Sequence, residues 1–255
     1  MKTLLAFAFA LIAVFAATLH HANAQEPAPM DKPKVIFFDV NETLLDLQGM
    51  QSSVSEALGG REDLMQLWFS TMLHHSLVDT VTERYHDFGT IGVNALLMVA
   101  ETHDIELTEE AARDAIATPL QNLPAHPDVV AGLKALKAQG YTLISFTNSS
   151  NKGVQTQFEN AGLTELFDQR LSIEDIKIYK PDLRAYEWAL DKAGVEPGEA
   201  MMVAAHGWDI AGAKAAGMKA TFVSRPGKAL YPLAIEPDHV VSDIGALAQL
   251  LEAED

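Results

Sequence analysis

The 255-residue chain contains no cysteine. Disulfides, thiolate metal sites and a cysteine nucleophile are therefore excluded, and stability must come from the core. Basic residues are scarce: 18 Lys and Arg stand against 35 Asp and Glu, for a formal net charge of −17 at pH 7. Such a chain repels the phosphates of nucleic acid, which is excluded as a partner, and an anionic ligand would need a local site. Long apolar runs are absent after the first 24 residues, so no later segment spans a bilayer.

Those first residues carry the three parts of an export signal. Lys2 supplies a positive start, Leu4 to Leu19 is almost entirely apolar, and Ala22-Asn23-Ala24 is an Ala-x-Ala cleavage site. Residues 1–24 are therefore expected to be removed, with a periplasmic or secreted product that keeps no stable membrane association. Cleavage removes Lys2 and no acid, which takes the formal charge from −17 to −18. Hydrophobic residues make up 48% of the chain, enough for a sizeable core.

Val35-Ile36-Phe37-Phe38 is a short, wholly apolar run, as expected of a strand buried on both faces. Helical spacing dominates the next stretch, in Leu64 to Phe69 and Val93 to Ala100, and Thr108-Glu109-Glu110 opens a further helix. After Pro124 strands and helices alternate. Helices are predicted over 129–139, 151–161, 182–193 and 209–216, and strands over 141–146, 201–205 and 220–224. Alternation of this kind calls for a doubly wound parallel sheet, an α/β fold. The expected organisation is an α/β core from residues 25–48 and 122–255, with residues 49–121 inserted as a helical cap. Ligands in such sheets bind at the carboxyl ends of the strands.

Four segments fall at those ends: Asp39 to Asp46, Thr147-Asn148-Ser149-Ser150, Tyr179-Lys180-Pro181-Asp182, and Ala204 to Asp209. Each alone admits a plainer role. Asp39 and Thr43 could cap a turn, Asn148 and the serines a helix, and Asp209 its own helix, while Lys180 could be a solvated loop residue. Together they offer a carboxylate nucleophile, hydroxyl and amide donors, a cation and a second carboxylate, a workable set for nucleophilic displacement.

In this order, and separated by a helical insertion, the segments resemble the haloacid dehalogenase superfamily over roughly residues 33–250. Asp39 and Thr43 match its nucleophile motif, Thr147 its second, Lys180 its third, and Asp209 with the Gly-Ala-rich run to Gly217 its fourth. The resemblance implies a Rossmann-like core with Asp39 as nucleophile. Most members are magnesium-dependent phosphatases with a second Asp two residues after the nucleophile and a Gly-Asp pair in the fourth motif. Asn41, Ala204 and Ala205 stand at those positions. A methyl group offers no oxygen to a hard cation.

These departures, with Tyr179-Lys180-Pro181-Asp182, Tyr186 and Trp208-Asp209, are similar to the type II (S)-2-haloacid dehalogenase branch. That branch implies no metal and no cofactor. It implies hydrolysis of small 2-haloacids to 2-hydroxy acids through an ester on Asp39. Lys180 would keep Asp39 ionised and Thr43 would orient it. Asp209, joined by His206, would position or activate water. Val40, Asn41, Thr147 and Asn148 would hold the substrate, with Trp68, Phe69, Leu73, Phe88, Tyr186 and Trp208 as pocket wall. Trp68, Leu73 and Phe88 read equally well as packing within the insertion. The branch has Arg where this chain has Phe69, and Asn where it has His206; Arg61 and Arg84 are candidate replacements for the missing cation. A phosphatase acting on a small phosphoester and a non-catalytic periplasmic binder of small acids stay open as alternatives, as does a homodimer.

Overall fold

The computed structural model describes residues 32–253; the segment read as an export signal lies outside them. Six strands form one sheet in the order β3-β2-β1-β4-β5-β6. They are β1 Val35–Phe38, β2 Thr142–Thr147, β3 Gln169–Ser172, β4 Ala200–Ala204, β5 Lys219–Val223 and β6 His239–Val241. Every pairing is parallel. The central strands β1 and β4 are buried at every residue, which explains their wholly apolar sequences.

Strand order reverses at β1, whose two neighbours are β2 and β4. Right-handed crossovers then send the helices of the two halves to opposite faces, so the sheet is doubly wound. Helix α5 (Val129–Ala138) packs on β2 and on α9 (Ile244–Ala253), and α7 (Leu183–Ala193) packs against α8 (Gly207–Ala215). Helix α6 (Asn151–Ala161) packs beside β3.

Between β1 and α5 lie four helices: α1 (Gln51–Ala57), α2 (Met65–Val81), α3 (Phe88–Thr102) and α4 (Glu109–Gln121). Helix α2 packs on α3, α3 on α4, and α4 reaches α6 of the sheet layer. Side-chain oxygens start these helices where the sequence offers them. Asp87 accepts from Thr90 N at 3.0 Å, and Thr108 accepts from Ala111 N at 3.2 Å. Gly162 and Gly194 close α6 and α7 with φ of 68° each, in the left-handed region that glycine adopts without a steric penalty.

Two strands and one helix go beyond the sequence reading. β3 and β6 are short edge strands, and α9 completes the chain. Among the described residues no helix is long and apolar enough to cross a membrane.

The α5–α9 contact is close enough to test. A Cβ on Gly132 would lie 2.7 Å from the backbone carbonyl carbon of Ile244 and 2.9 Å from Gly245 N. Backbone cannot yield as a side-chain tip does. Gly132→Ala should therefore cost about 1–3 kcal/mol in urea denaturation, despite alanine's better helix propensity. A stabilised variant would show that the two helices do not meet there.

Candidate active site

The carboxyl ends of β1, β2 and β4 bring the motif residues together. Asp39 follows β1, and its backbone N–H donates to Val203 O at 3.0 Å. Ala205 N, after β4, donates to Thr43 Oγ1 at 2.9 Å. Arg225 clamps the same loop: it is paired with Asp128 at 2.7 Å and donates to the Thr43 carbonyl at 3.0 Å. The nucleophile loop is thus tied to two neighbouring strand ends.

Lys180 is wholly buried and lies between two carboxylates. Its Nζ donates to Asp209 Oδ2 at 2.6 Å, to Asp39 Oδ1 at 3.2 Å and to the Phe146 carbonyl at 2.9 Å. Asn148 Oδ1 accepts from Lys180 N at 3.1 Å, which fixes the backbone from which this side chain departs. Burial alone would lower the ammonium's pKa, but Asp209 and Asp39 outweigh it and hold Lys180 above its ordinary value.

For Asp39 burial pushes the other way, toward the neutral acid. Lys180, His206 and Thr43 overcome that and hold the carboxyl well below the usual carboxylate range. Asp209 is pushed up by burial and by the Asp39 charge, against Lys180. Tyr186 donates to Asp209 Oδ1 at 2.6 Å, so this carboxylate spends its oxygens on Lys180 and Tyr186. It sits in the first turn of α8 but caps no backbone there.

His206 is the main surprise. Its Nδ1 lies 2.9 Å from Asp39 Oδ2 and its Nε2 lies 2.8 Å from Glu42 Oε2. Ionised carboxylates only accept, so both nitrogens donate and the ring is an imidazolium. Burial opposes this charge, but Asp39 and Glu42 prevail, and the pKa is pushed up to about 9. A ring held charged in this way has no lone pair to act as a general base at neutral pH, so the geometry favours hydrogen-bond donation by His206 over water activation.

Glu42 is buried beneath His206, and Lys228 pairs with its other oxygen. Burial raises the Glu42 carboxyl, but His206 and Lys228 bring it below its ordinary value. Neither Glu42 nor Lys228 stood out in the sequence. The one local signal is Glu42's φ of 64°, rare for a residue with a Cβ, and it is visible only in the fold.

A narrow cleft opens beside Asp39, lined by Asn41, Phe69, Leu73, Phe88, Thr147, Asn148, His206 and Trp208. The His206 ring is stacked between Trp208 (centroids 4.9 Å apart) and Phe69 (6.0 Å). Lys228 lies over the Phe69 ring at 5.6 Å. Two buried donors among the lining residues, Asn148 Nδ2 and Trp208 Nε1, have no partner among the described residues. Buried donors are normally satisfied, so the pair is poised for an acceptor from outside.

Other expected site residues lie elsewhere. Trp68 is fully buried inside the helical insertion and donates to the Gly92 carbonyl at 2.8 Å. Tyr186 lies under Asp209, while the Val40 side chain is buried, which leaves its backbone N–H, directly after Asp39, as the group it could offer a substrate. Asn41 lines the cavity, yet its amide is already engaged: Nδ2 donates to Ser149 Oγ at 3.1 Å, and Oδ1 accepts from Gln157 Nε2 at 3.0 Å. Arg61 pairs with Asp63 on the surface and Arg84 is exposed, so neither replaces the missing arginine. The cations nearest Phe69 are His206 and Lys228. Among the described residues no cluster of three or more His, Asp or Glu is arranged to hold a metal ion.

The buried charges make a pH prediction. Lys180→Ala would leave Asp39 and Asp209 facing each other without their shared cation, at a cost of about 3–5 kcal/mol at pH 7. In the wild type the depressed Asp39 pKa means stability is lost as pH falls. Without Lys180 the folded-state carboxyl pKa values rise above their unfolded values. Acid then relieves the variant, and its deficit should shrink between about pH 7 and pH 4. Guanidinium denaturation across that range checks this; a deficit that stays constant would show that Lys180 is not the counter-ion.

Comparison with known proteins agrees with this geometry. The family model described as haloacid dehalogenase-like hydrolase matches residues 33–217. (S)-2-haloacid dehalogenase 1 of Pseudomonas sp. (strain CBS-3) is 34% identical over 223 residues, covering 87% of this chain and 98% of its own. The solved L-2-haloacid dehalogenase of Xanthobacter autotrophicus superposes with a TM-score of 0.80 at 27% identity, covering 86% of this chain and 98% of that one. The same enzyme with chloropropionic acid covalently bound superposes at 0.79, with the same identity and coverage. The chain belongs to the haloacid dehalogenase-like hydrolase family, in the branch that holds the (S)-2-haloacid dehalogenases.

Proposed function

We propose that this protein hydrolyses the carbon–halogen bond of small 2-haloacids, giving 2-hydroxy acids through an ester on Asp39 and without a metal ion. The observation that carries the reading is the pairing of an ionised, buried Asp39 with two unpartnered donors, Asn148 Nδ2 and Trp208 Nε1, across one small cavity. A 2-haloacid brings a carboxylate to accept from such donors and an electrophilic carbon for Asp39. The covalently bound chloropropionic acid named for the Xanthobacter autotrophicus enzyme supports the covalent step.

In the first step a carboxylate oxygen of Asp39 attacks the halogen-bearing carbon from behind. The carbon–halogen bond breaks and halide leaves with its electron pair, with inversion at carbon. Burial strips water from the nucleophile, and Lys180 keeps it charged and aimed. Phe69, Leu73 and Phe88 give the halogen an apolar enclosure, for which the helical insertion acts as a cap. Water then attacks the ester carbonyl. Asp209 holds Lys180, and Tyr186 holds Asp209.

Phosphoryl transfer is disfavoured by the same site. The side chain two residues after Asp39 is an amide with both ends engaged, so it offers no acidic proton to a leaving alcohol. The methyl groups of Ala204 and Ala205 supply no oxygen for a cation. We propose also that the protein works outside the cytoplasm, after loss of residues 1–24.

Chloro-, bromo- and fluoroacids assayed for halide release, with and without EDTA, test the reading directly. Halide release unaffected by EDTA and abolished in Asp39→Asn, in protein shown free of deamidation, is the expected result. Metal-dependent phosphate release from small phosphoesters would favour the phosphatase instead. Acid binding without either product would mean a binding protein.

A further inference from the structure

The two oxygens of Asp39 are held unequally. Oδ2 accepts from Thr43 Oγ1 at 2.8 Å and from His206 Nδ1 at 2.9 Å. Among the described residues, Oδ1 accepts only from Lys180 Nζ, at 3.2 Å. The less engaged oxygen, Oδ1, is the better placed to attack carbon. Oδ2 then remains as the carbonyl oxygen of the ester, with two donors already aimed at it.

We propose that His206 is the oxyanion donor of ester hydrolysis, and that Glu42 is the positioning residue that holds its imidazolium against Asp39. The inference rests on the reading that Asp39 forms an ester. In hydrolysis the water oxygen adds to Cγ and the carbonyl π pair moves onto Oδ2. His206 Nδ1–H and Thr43 Oγ1–H stabilise that developing charge. When the tetrahedral species collapses, the bond from Cγ to Oδ1, now the ester oxygen on the substrate carbon, breaks. One water proton ends on the departing hydroxyl, the other is released to solvent, and Asp39 returns as a carboxylate. His206 keeps its protons throughout.

The surroundings are built for a fixed, charged ring. Phe69 from α2 and Trp208 from α8 stack on its two sides. The charged groups that bear on it are Asp39 and Glu42 directly, Lys180 through Asp39, and Lys228 through Glu42. Glu42 holds Nε2 in the way a buried carboxylate orients a catalytic imidazole. It does so from a backbone conformation that side chains with a Cβ rarely adopt, and such strain persists where the surrounding structure requires it. Donors pre-aimed at a developing oxyanion act without reorganisation, and removing one costs roughly 10²–10³-fold in rate.

The test uses the full chain and 2-chloropropionate. Rapid-quench halide counts and intact mass follow the two steps separately in wild type, His206→Gln and Glu42→Gln. His206→Gln should release about one equivalent of halide quickly, then stall, with hydrolysis slowed roughly 10²–10³-fold and an adduct accumulating on Asp39. In Glu42→Gln the ring loses one of the two carboxylates that keep it protonated. Ester hydrolysis in the wild type should fall off at alkaline pH as His206 loses its proton, below its free-enzyme pKa of about 9 because the ester no longer carries the Asp39 charge, and this limb should move down by at least about one pH unit in Glu42→Gln. The burst should suffer far less than hydrolysis in both variants.

A halide burst and steady-state rate that fall in parallel in His206→Gln, with no adduct, would overturn the proposal while leaving the Asp39 ester standing. An unmoved alkaline limb in Glu42→Gln would overturn it as well, and that variant decides the matter if His206→Gln does not fold. Wild-type protein that gives neither halide nor adduct would remove the ester reading and this inference with it.

Discussion

The buried ammonium of Lys180 lies between two carboxylates, one 3.2 Å away and the other 2.6 Å. All three side chains are almost fully removed from water. Desolvating any one of them alone would cost several kcal/mol, so each is tolerable only because of the others. The arrangement dictates much of the surrounding structure. Tyr186 must reach Asp209, Asn148 must fix the Lys180 backbone, and three strands must end at one level. Gly212 completes it, since a Cβ there would lie 2.4 Å from the Tyr186 hydroxyl.

A second charge chain runs the other way from Asp39, through His206 and Glu42 to Lys228. It gives physical sense to the places where the sequence leaves the branch's pattern. Phe69 and His206, far apart in the chain, stack on one another, and Lys228 lies over the other partner of that stack. The absent arginine and the added histidine are thus neighbours in one cluster. An arginine at position 69 would face an imidazolium and an ammonium already in place. The phenyl ring is the residue that suits two adjacent cations, because its face attracts positive charge.

The fold and the nucleophile were largely legible in the sequence, because both rest on local signals. The apolar runs of β1 and β4 mark strands buried on both faces, and the four motif segments fall at strand ends. β3 escaped because an edge strand such as Gln169-Arg170-Leu171-Ser172 buries only its last two residues. Helix α9 has a helical stripe at Ile244, Leu247, Ala248 and Leu251 that could have revealed it. Glu42 and Lys228 could not have been found in this way: they lie 186 positions apart and meet only when β1 and β5 enter one sheet. His206 was visible as a site residue, but its protonation was not, because that depends on carboxylates meeting both ring nitrogens. The motifs point to Trp68 and Tyr186 as pocket wall, yet Trp68 packs inside the insertion and Tyr186 props Asp209.

The central claim is that Asp39 itself, and not water, attacks the substrate carbon. Single-turnover hydrolysis of a 2-haloacid in heavy-oxygen water, with enzyme in excess, tests it most directly. The mechanism predicts that the first turnover leaves the heavy oxygen in the Asp39 carboxylate, recovered in the peptide that contains it, while the 2-hydroxy acid carries ordinary oxygen. Heavy oxygen appearing in the product of that first turnover, with Asp39 unlabelled, would contradict it.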